Sequence, residues 1–492
     1  MYISTRNHRS TPIKASEAIK NGLAPDGGLY MPTELPRLTE DDLAELAPLS
    51  YPERCAKILS LFLDDYGYEE LLDDAMAAYS EEKFGAHPAP VKKVEDESYF
   101  LELWHGPTCA FKDMALQLMP RLFVRALKKC GETREALILV ATSGDTGKAA
   151  LEGYKNVKGT KVKVFYPQNG VSAVQKLQMQ TQDGDNLSVD GIEGNFDDAQ
   201  SGVKTIFSAP DVAEKLDCAG VFLSSANSIN WGRLVPQIVY YVSAYLDLVS
   251  AGEIAMYDEL DVTVPTGNFG NIFAAYIAKK MGVPLGKLVC ASNKNDVLTE
   301  FFASGRYNRN RQFYPTVSPS MDILISSNLE RLLYLALGSE KCAAYMHRLS
   351  STGEYTLSAE DFALVCADFA AYSTSEEDTL NTVSDYFKNK NYLIDTHTAG
   401  AASAAKRFMN DYKAERKMLT VSTASPFKFA SDVYASLTGE RPSELLAPEL
   451  LGRLSGVDIP TPIATLKDKM ILHSRSIKKE EMEKATLDFA RT

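Results

Sequence analysis

In "ALILVATSGDTGKAALEGYKNV", residues 136–157, an unbroken apolar run gives way to a polar, glycine-bearing turn and then to helical periodicity. Residues 136–140 show no polar alternation, as in a strand covered on both faces, and "GKAALEGYKNV" reads as a helix. A strand that passes through such a turn into a helix is half of a βαβ unit. The same order recurs along the chain. "KVKVFYP" (161–167) precedes "SAVQKLQMQTQ" (172–182), while "GVFLSSAN" (220–227) and "ELDVTVPTG" (259–267) lead into further helical patterns. An α/β fold with mostly parallel sheets flanked by helices is therefore expected, with ligands held where strands turn into helices at their carboxyl ends.

The flanks differ in texture. Residues 1–96 combine a glycine-rich turn, "APDGGLY" (24–30), with helical spacing in "YEELLDDAMAAYSEEKF" (68–84), and are expected to form a small N-terminal lobe. Within it "AHPAPVKKV" (86–94), with two prolines and little periodicity, is the expected linker. Residues 97–430 carry the α/β pattern and close on the apolar run "KMLTVSTASP" (417–426); residues 431–492 are expected to be mainly helical.

Composition narrows the class. The 492 residues, 45% hydrophobic and 24% charged, can bury a large core spread over about three domains. No apolar run approaches the roughly 18 residues of a membrane span, and residues 1–15 lack the apolar stretch of a signal peptide, so a cytoplasmic protein is expected. A net charge of −13, from 52 basic and 65 acidic residues, argues against a nucleic-acid partner. The seven cysteines form no C-x-x-C pair, and the six histidines show no H-x-x-x-H spacing. Neither a disulfide frame nor a metal site is expected.

Four strand-to-helix turns carry donors suited to anions. "ATSGDTGKAA" (141–150) sets Ser143, Gly144, Asp145 and Thr146 before a helix, where free backbone N–H groups face any incoming carboxylate or phosphate. It is not a Walker A loop, because Thr142 stands where the first glycine is needed and Ala149 follows Lys148. "VPTGNFGNI" (264–272) repeats the arrangement with Gly267, Asn268, Phe269, Gly270 and Asn271. "SSANSINWGRL" (224–234) offers Ser225, Asn227, Ser228 and Asn230, followed by Arg233. "STASPFKF" (422–429) ends a strand pattern in hydroxyls, among them Thr423. Helix caps use the same residue types, so each turn alone is ambiguous.

One lysine gives them a common purpose. In "LWHGPTCAFKD" (103–113) Lys112 follows a Gly-Pro turn and opens a helical pattern with Ala115, Met119, Leu122 and Ala126 on one face. A helix N-terminus disfavours the ammonium form, so Lys112 is expected to present a neutral amine, the form that attacks an aldehyde. Pro120 is expected to shorten or kink that helix. His105, just before Gly106-Pro107, is expected to shape the turn.

Taken in order, these stretches, with "YISTR" (2–6), "GLAPDGGLYMP" (22–32) and "YLIDTHTAG" (392–400), resemble the threonine synthases, in the long branch that carries an N-terminal extension. The resemblance runs along most of the chain. It implies a two-lobed pyridoxal-phosphate fold of type II, with pyridoxal 5'-phosphate held as a Schiff base on Lys112. Gly267, Asn268, Phe269, Gly270 and Asn271 would surround its phosphate, and Thr423 would face its ring nitrogen. Ser143, Gly144, Asp145 and Thr146 would bind the substrate α-carboxylate or lie beside it; Asn227, Asn230 and Arg233, with Lys148, would receive the substrate phosphate. The implied reaction converts O-phospho-L-homoserine and water to L-threonine and phosphate, by elimination at Cγ and hydration at Cβ, in a monomer or homodimer. A phospho-lyase giving 2-oxobutyrate is the alternative on the same scaffold. A catalytically silent binding relative would have lost Lys112 or "GNFGN", and both are intact. The pattern departs at Cys109 and Ala110, where a bulkier apolar residue is expected at one position or both.

Overall fold

The strand Glu135–Ala141 and the helix Asp145–Tyr154 bear out the opening reading, in a computed structural model that describes residues 1–142, 144–169, 171–413 and 415–492. That strand sits in a five-stranded sheet. Its spatial order is Ser476–Lys478, Leu187–Glu193, Thr160–Pro167, Glu135–Ala141, Val221–Ser224, with every pairing parallel. Leu137, Ile138, Leu139 and Val140 are all buried, as strands covered on both faces require.

A six-stranded sheet forms the second layer. Its order is Phe369–Ser373, Leu285–Ser292, Leu260–Pro265, Met418–Ser422, Ser98–Glu102, Val91–Glu95, parallel throughout except for the last pair. The stretch 86–94, expected as a linker, thus enters this sheet as its edge strand, and the boundary drawn at 96 falls inside a hairpin. Pro88 and Pro90 precede the strand, where a missing N–H costs no ladder bond.

Of the strands that the sequence pattern does not announce, two have an evident cause. Leu187–Glu193 contains Asp190, a buried carboxylate 2.6 Å from the buried Lys163 ammonium on the neighbouring strand, so its apolar run is broken although it is an interior strand. Ser476–Lys478, inside the C-terminal segment expected to be mainly helical, has three residues and is too short to show a period.

The 20-residue helix Trp231–Ser250 is apolar nearly all round and buried nearly all round, the signature of a central helix. The N-terminal lobe packs on it. Tyr2 and Phe62 place their rings 5.6 and 5.7 Å from Trp231, and side chains of this size contribute about 2–3 kcal/mol each when buried. Arg331, 0% exposed, donates to Tyr30 O at 3.2 Å and to Ile229 O at 2.7 Å, and Arg6 grips Glu330 through two N–H groups at 2.9 and 2.7 Å. The lobe therefore shares one continuous core with the α/β region. Among the described residues no helix is long and apolar enough to cross a membrane.

Lys112 begins a helix of only five residues, Lys112–Leu116, and a new helix, Met119–Lys129, starts with Pro120 in its first turn, where no N–H is needed. This is the short helix that Pro120 leads one to expect. Gly153, on Asp145–Tyr154, has no side chain because a Cβ there would collide with the carbonyl oxygen of Leu116. The helix that follows the polar turn can then lie directly on the backbone that carries Lys112.

Candidate active site

Three neighbouring strands deliver three pieces of the site to one edge of the six-stranded sheet. Leu260–Pro265 ends in the 267–271 turn, Met418–Ser422 ends at Thr423, and Ser98–Glu102 runs into the loop that carries Lys112. Pairing continues past the strand ends. Leu103 N donates to Ser422 O at 3.0 Å, Phe111 N to Thr423 O at 2.8 Å and Ser425 N to Cys109 O at 3.1 Å. Small side chains at Cys109 and Ala110 suit this close approach, Ala110 forming a bridge with Ala424. Lys112 is thereby set beside Thr423.

Lys112 is 9% exposed. Its Nζ lies 3.5 Å from Asp145 Oδ2, 3.5 Å from Ser320 Oγ and 4.7 Å from the centre of the Phe111 ring. Burial lowers its pKa; Asp145 opposes the shift, and the nearby Lys428 and Arg233 cations reinforce it. The shift has the direction expected, but its cause is burial rather than a helix dipole, which a single short turn of helix hardly supplies.

Asp145 corrects a second expectation. Its carboxylate accepts from Gln175 Nε2 at 2.7 Å and Ser320 Oγ at 3.1 Å, and lies 2.7 Å from Lys428 Nζ. Burial alone would raise its pKa, yet Lys428 and Lys112 hold it well below the usual carboxylate range. Its oxygens, committed to cations and donors, serve as the counter-ion of Lys112 and do not receive a substrate carboxylate. Ser143 lies outside the described residues. Thr142 Oγ1 accepts from Gly144 N and Gly147 N, both at 3.0 Å, leaving Gly144 and the half-buried Thr146 at the helix entrance. Lys148 belongs elsewhere. Its Nζ bonds Glu152 Oε2 at 2.9 Å and Gln182 Oε1, and it faces a separate cavity of about 240 Å³ walled by Pro107, Gln178, Thr181 and Lys469.

The 267–271 turn is built to be filled. Phe269 adopts a left-handed conformation at φ 64°, Gly267 O accepts from Ser326 Oγ at 2.7 Å, and Asn268 O accepts from Asn328 N and Nδ2, both at 3.0 Å. Asn271 Oδ1 receives the hydroxyls of Tyr240 and Tyr241 at 2.7 and 2.5 Å, while its buried Nδ2 has no partner among the described residues. Arg233 is similarly placed. One N–H donates to Ala226 O at 2.6 Å, Nε has no partner, and no carboxylate of the described residues lies within 4.0 Å. Burial pushes its pKa down to about 10. Buried donors without acceptors are costly, so Asn271 and Arg233 together suit anionic ligands, such as a phosphate-bearing cofactor and substrate.

The other candidates divide. Asn230 donates through Nδ2 to Ile19 O at 2.9 Å and accepts from Gly232 N at 2.8 Å through Oδ1, so it caps the central helix and pins the N-terminal lobe instead of binding ligand. Asn227 is exposed, and Ser228 Oγ is engaged by Asn328 Nδ2 at 3.2 Å. Thr423 is 6% exposed, with its carbonyl used by Phe111 and its hydroxyl free of bonds among the described residues. His105 pairs with Glu102 at 2.8 Å and stacks on Trp104 at 4.3 Å, which shapes the loop as expected.

Gly267 tests how tightly the turn is built. A Cβ there would stand 2.5 Å from Ser320 O, a backbone atom of the loop against Lys112. Gly267→Ala is expected to weaken cofactor binding about tenfold or more, the cost of overpacking by 1–3 kcal/mol. Spectroscopic titration of the variant with the cofactor measures it; affinity unchanged from the parent would rule the tight fit out.

Sequence reasoning passed over Lys428 and Ser320, which touch Asp145 and Lys112, and Asp113. Lys428 stood inside a stretch read for its hydroxyls, and Ser320 in a region without periodicity. Asp113, 0% exposed, accepts from Thr108 N at 2.7 Å and Thr108 Oγ1 at 2.6 Å, and burial pushes its pKa up from 3.8 to about 6. The folded chain therefore holds this proton more tightly than the unfolded chain. Its contribution to stability is complete below about pH 4 and is lost as pH rises through about 6. Asp113→Asn, which keeps both bonds to Thr108, is expected to remove that slope from urea-unfolding curves between pH 4 and 7; an unchanged slope would refute the assignment.

The comparisons agree with one another. The family described as "Threonine synthase N terminus" matches residues 1–79, and that described as "Pyridoxal-phosphate dependent enzyme" matches residues 86–424. The threonine synthase of Pseudomonas aeruginosa is 37% identical over 448 residues, covering 90% of this chain and 91% of that one. Human threonine synthase-like 1 is 40% identical over 447 residues, 88% of this chain but 59% of that protein. Among solved structures, a pyridoxal-phosphate-bound threonine synthase from Brucella melitensis superposes with a TM-score of 0.88 at 34% identity, covering 100% of this chain and 99% of that one. The yeast threonine synthase also gives 0.88, at 31% identity, with 99% and 98% covered.

Proposed function

Because the chain belongs to the pyridoxal-phosphate-dependent threonine synthases, we propose that it converts O-phospho-L-homoserine and water to L-threonine and phosphate with Lys112 as its catalytic amine. Its cofactor is pyridoxal 5'-phosphate, and it is a lyase. The observation that carries the assignment of residues is the delivery of Lys112, the 267–271 turn and Thr423 by three adjacent strands to one sheet edge.

Pyridoxal phosphate, when bound, supplies an aldehyde carbon open to an amine and a ring that spreads negative charge from the substrate carbon. Lys112, its pKa lowered by burial, is assigned to lift the proton from Cα. Asn271 Nδ2 and the N–H groups that open the helix Gly270–Met281 are assigned to the cofactor phosphate, with Gly267, Asn268 and Phe269 forming its cradle. Thr423 is assigned to the ring nitrogen. Thr146 is assigned to the substrate α-carboxylate, with Gly144, whose N–H is taken by Thr142 Oγ1, shaping the turn beside it. Arg233, with Asn227 of the same turn, is assigned to the substrate phosphate, where a buried guanidinium stabilises the charge that grows as the Cγ–O bond breaks. Asp145 and Lys428 keep the amine in place by a buried ion pair.

Product analysis tests the reading. Incubation with O-phospho-L-homoserine is expected to release L-threonine and phosphate in equal amounts; 2-oxobutyrate with ammonia in place of threonine would assign a phospho-lyase instead. The seven free thiols suit a reducing compartment and support a cytoplasmic location.

A further inference from the structure

Ser320 is held from three sides. Its N–H donates to His397 Nε2 at 3.1 Å, its carbonyl abuts Gly267, and its hydroxyl lies 3.1 Å from Asp145 Oδ2 and 3.5 Å from Lys112 Nζ. His397 is itself fixed. Its Nδ1 lies 2.7 Å from Asp395 Oδ2, and the same carboxylate accepts from His397 N at 2.9 Å and Thr398 N at 3.1 Å at the start of the helix Thr396–Tyr412. Since Nε2 accepts from a backbone N–H, the ring proton must sit on Nδ1, where Asp395 receives it. The imidazole is 2% exposed and packs 4.7 Å from the Phe429 ring, next to Lys428.

Hydrogen-bond bookkeeping then fixes the direction of the lysine. A carboxylate only accepts, so the Ser320 O–H is given to Asp145, and the remaining lone pairs of Ser320 Oγ are open to Lys112. A neutral Lys112 has two N–H groups and one lone pair. Asp145 Oδ2 and Ser320 Oγ, 3.1 Å from each other and each 3.5 Å from Nζ, lie on one side of the amine and share its N–H groups, so the lone pair is turned to the side away from them.

We propose that Ser320 is a catalytic residue that, with Asp145, aims the lone pair of the free Lys112 amine at the carbon it must regain, and that His397, held by Asp395, is the positioning residue that keeps Ser320 there. The proposal rests on the assignment of Lys112 as the catalytic amine. Ser320 transfers no proton in this role; it orients, and its contribution is felt whenever Lys112 is free.

The test uses the holoenzyme and L-threonine, an amine that displaces Lys112 from the cofactor. Stopped-flow absorbance follows the change on mixing and the return of the starting spectrum on dilution. Ser320→Ala is expected to slow the return about 10- to 100-fold and to lower kcat by a similar factor, with KM within about threefold of the parent. Ser320→Thr, which keeps a hydroxyl, is expected to recover most of that loss. His397→Gln sets an acceptor where Nε2 stood and is expected to stay within about threefold, whereas His397→Asn, which can reach only Asp395, is expected to fall with Ser320→Ala. A return in Ser320→Ala as fast as in the parent would overturn the proposal, even if the histidine variants fail to fold. Equal impairment of the Gln and Asn variants would overturn the part given to His397. Should Lys112→Ala show the parental spectrum and return, the failure would lie instead in the assignment of Lys112.

Discussion

Lys112→Ala is expected to abolish threonine formation, lowering kcat by about 10⁴-fold or more, the scale on which loss of a covalent catalytic group is felt. The amine it removes lies, buried, between Asp145 and Ser320, and Lys428, the other lysine of that cluster, is spent on Asp145 at 2.7 Å and on Thr108 O at 2.9 Å. No second amine of this cluster is free to take over. Borohydride treatment of the parent enzyme is expected to leave the cofactor attached to the peptide that contains Lys112, and mass spectrometry of the variant is expected to find none. Threonine formation within tenfold of the parent, or an adduct on another peptide, would remove Lys112 from its role.

Lys428→Met is expected to destabilise the folded chain by about 3–5 kcal/mol, as removal of one partner from a buried ion pair does. Both side chains are buried, and loss of the ammonium leaves the Asp145 carboxylate with Lys112 as its single cation. The pH dependence gives a second signature. Asp145 titrates in the folded state well below its ordinary 3.8, so its contribution to stability is present above about pH 4 and is lost as pH falls further. In Lys428→Met that acid-side slope should shrink. Urea unfolding at pH 7 and along an acid series measures both effects, and adding Asp145→Asn to the variant should restore part of the stability by removing the stranded charge. Stability within about 1 kcal/mol of the parent would mean that the pair is solvated in solution.

Much of the site was legible in the chain because its parts are local. A helix start, a glycine turn or an apolar strand depends on residues within a few positions of one another, which is why "ATSGDTGKAA", "VPTGNFGNI" and the segment around Lys112 announced themselves, and why Pro120 foretold a short helix. Roles that depend on distant partners did not. Asn230 has the same amide as Asn271, yet one caps the central helix and binds Ile19 O while the Nδ2 of the other, beside the glycine turn, has no partner among the described residues. Lys148 looked like a substrate ligand because it follows the polar turn; its ammonium is instead held by Glu152 and Gln182.

Order along the chain thus dictated the alternation of strands and helices, the glycine turns and the place of Lys112 at a helix start. Packing dictated the rest. The environment of the amine is made by Asp145, Ser320 and Lys428, groups from three separate segments, and its proton affinity follows from burial that no local pattern encodes. The physical reason is range: backbone conformation responds to near neighbours, whereas desolvation and ion pairing are set by whichever atoms the fold brings within a few ångströms.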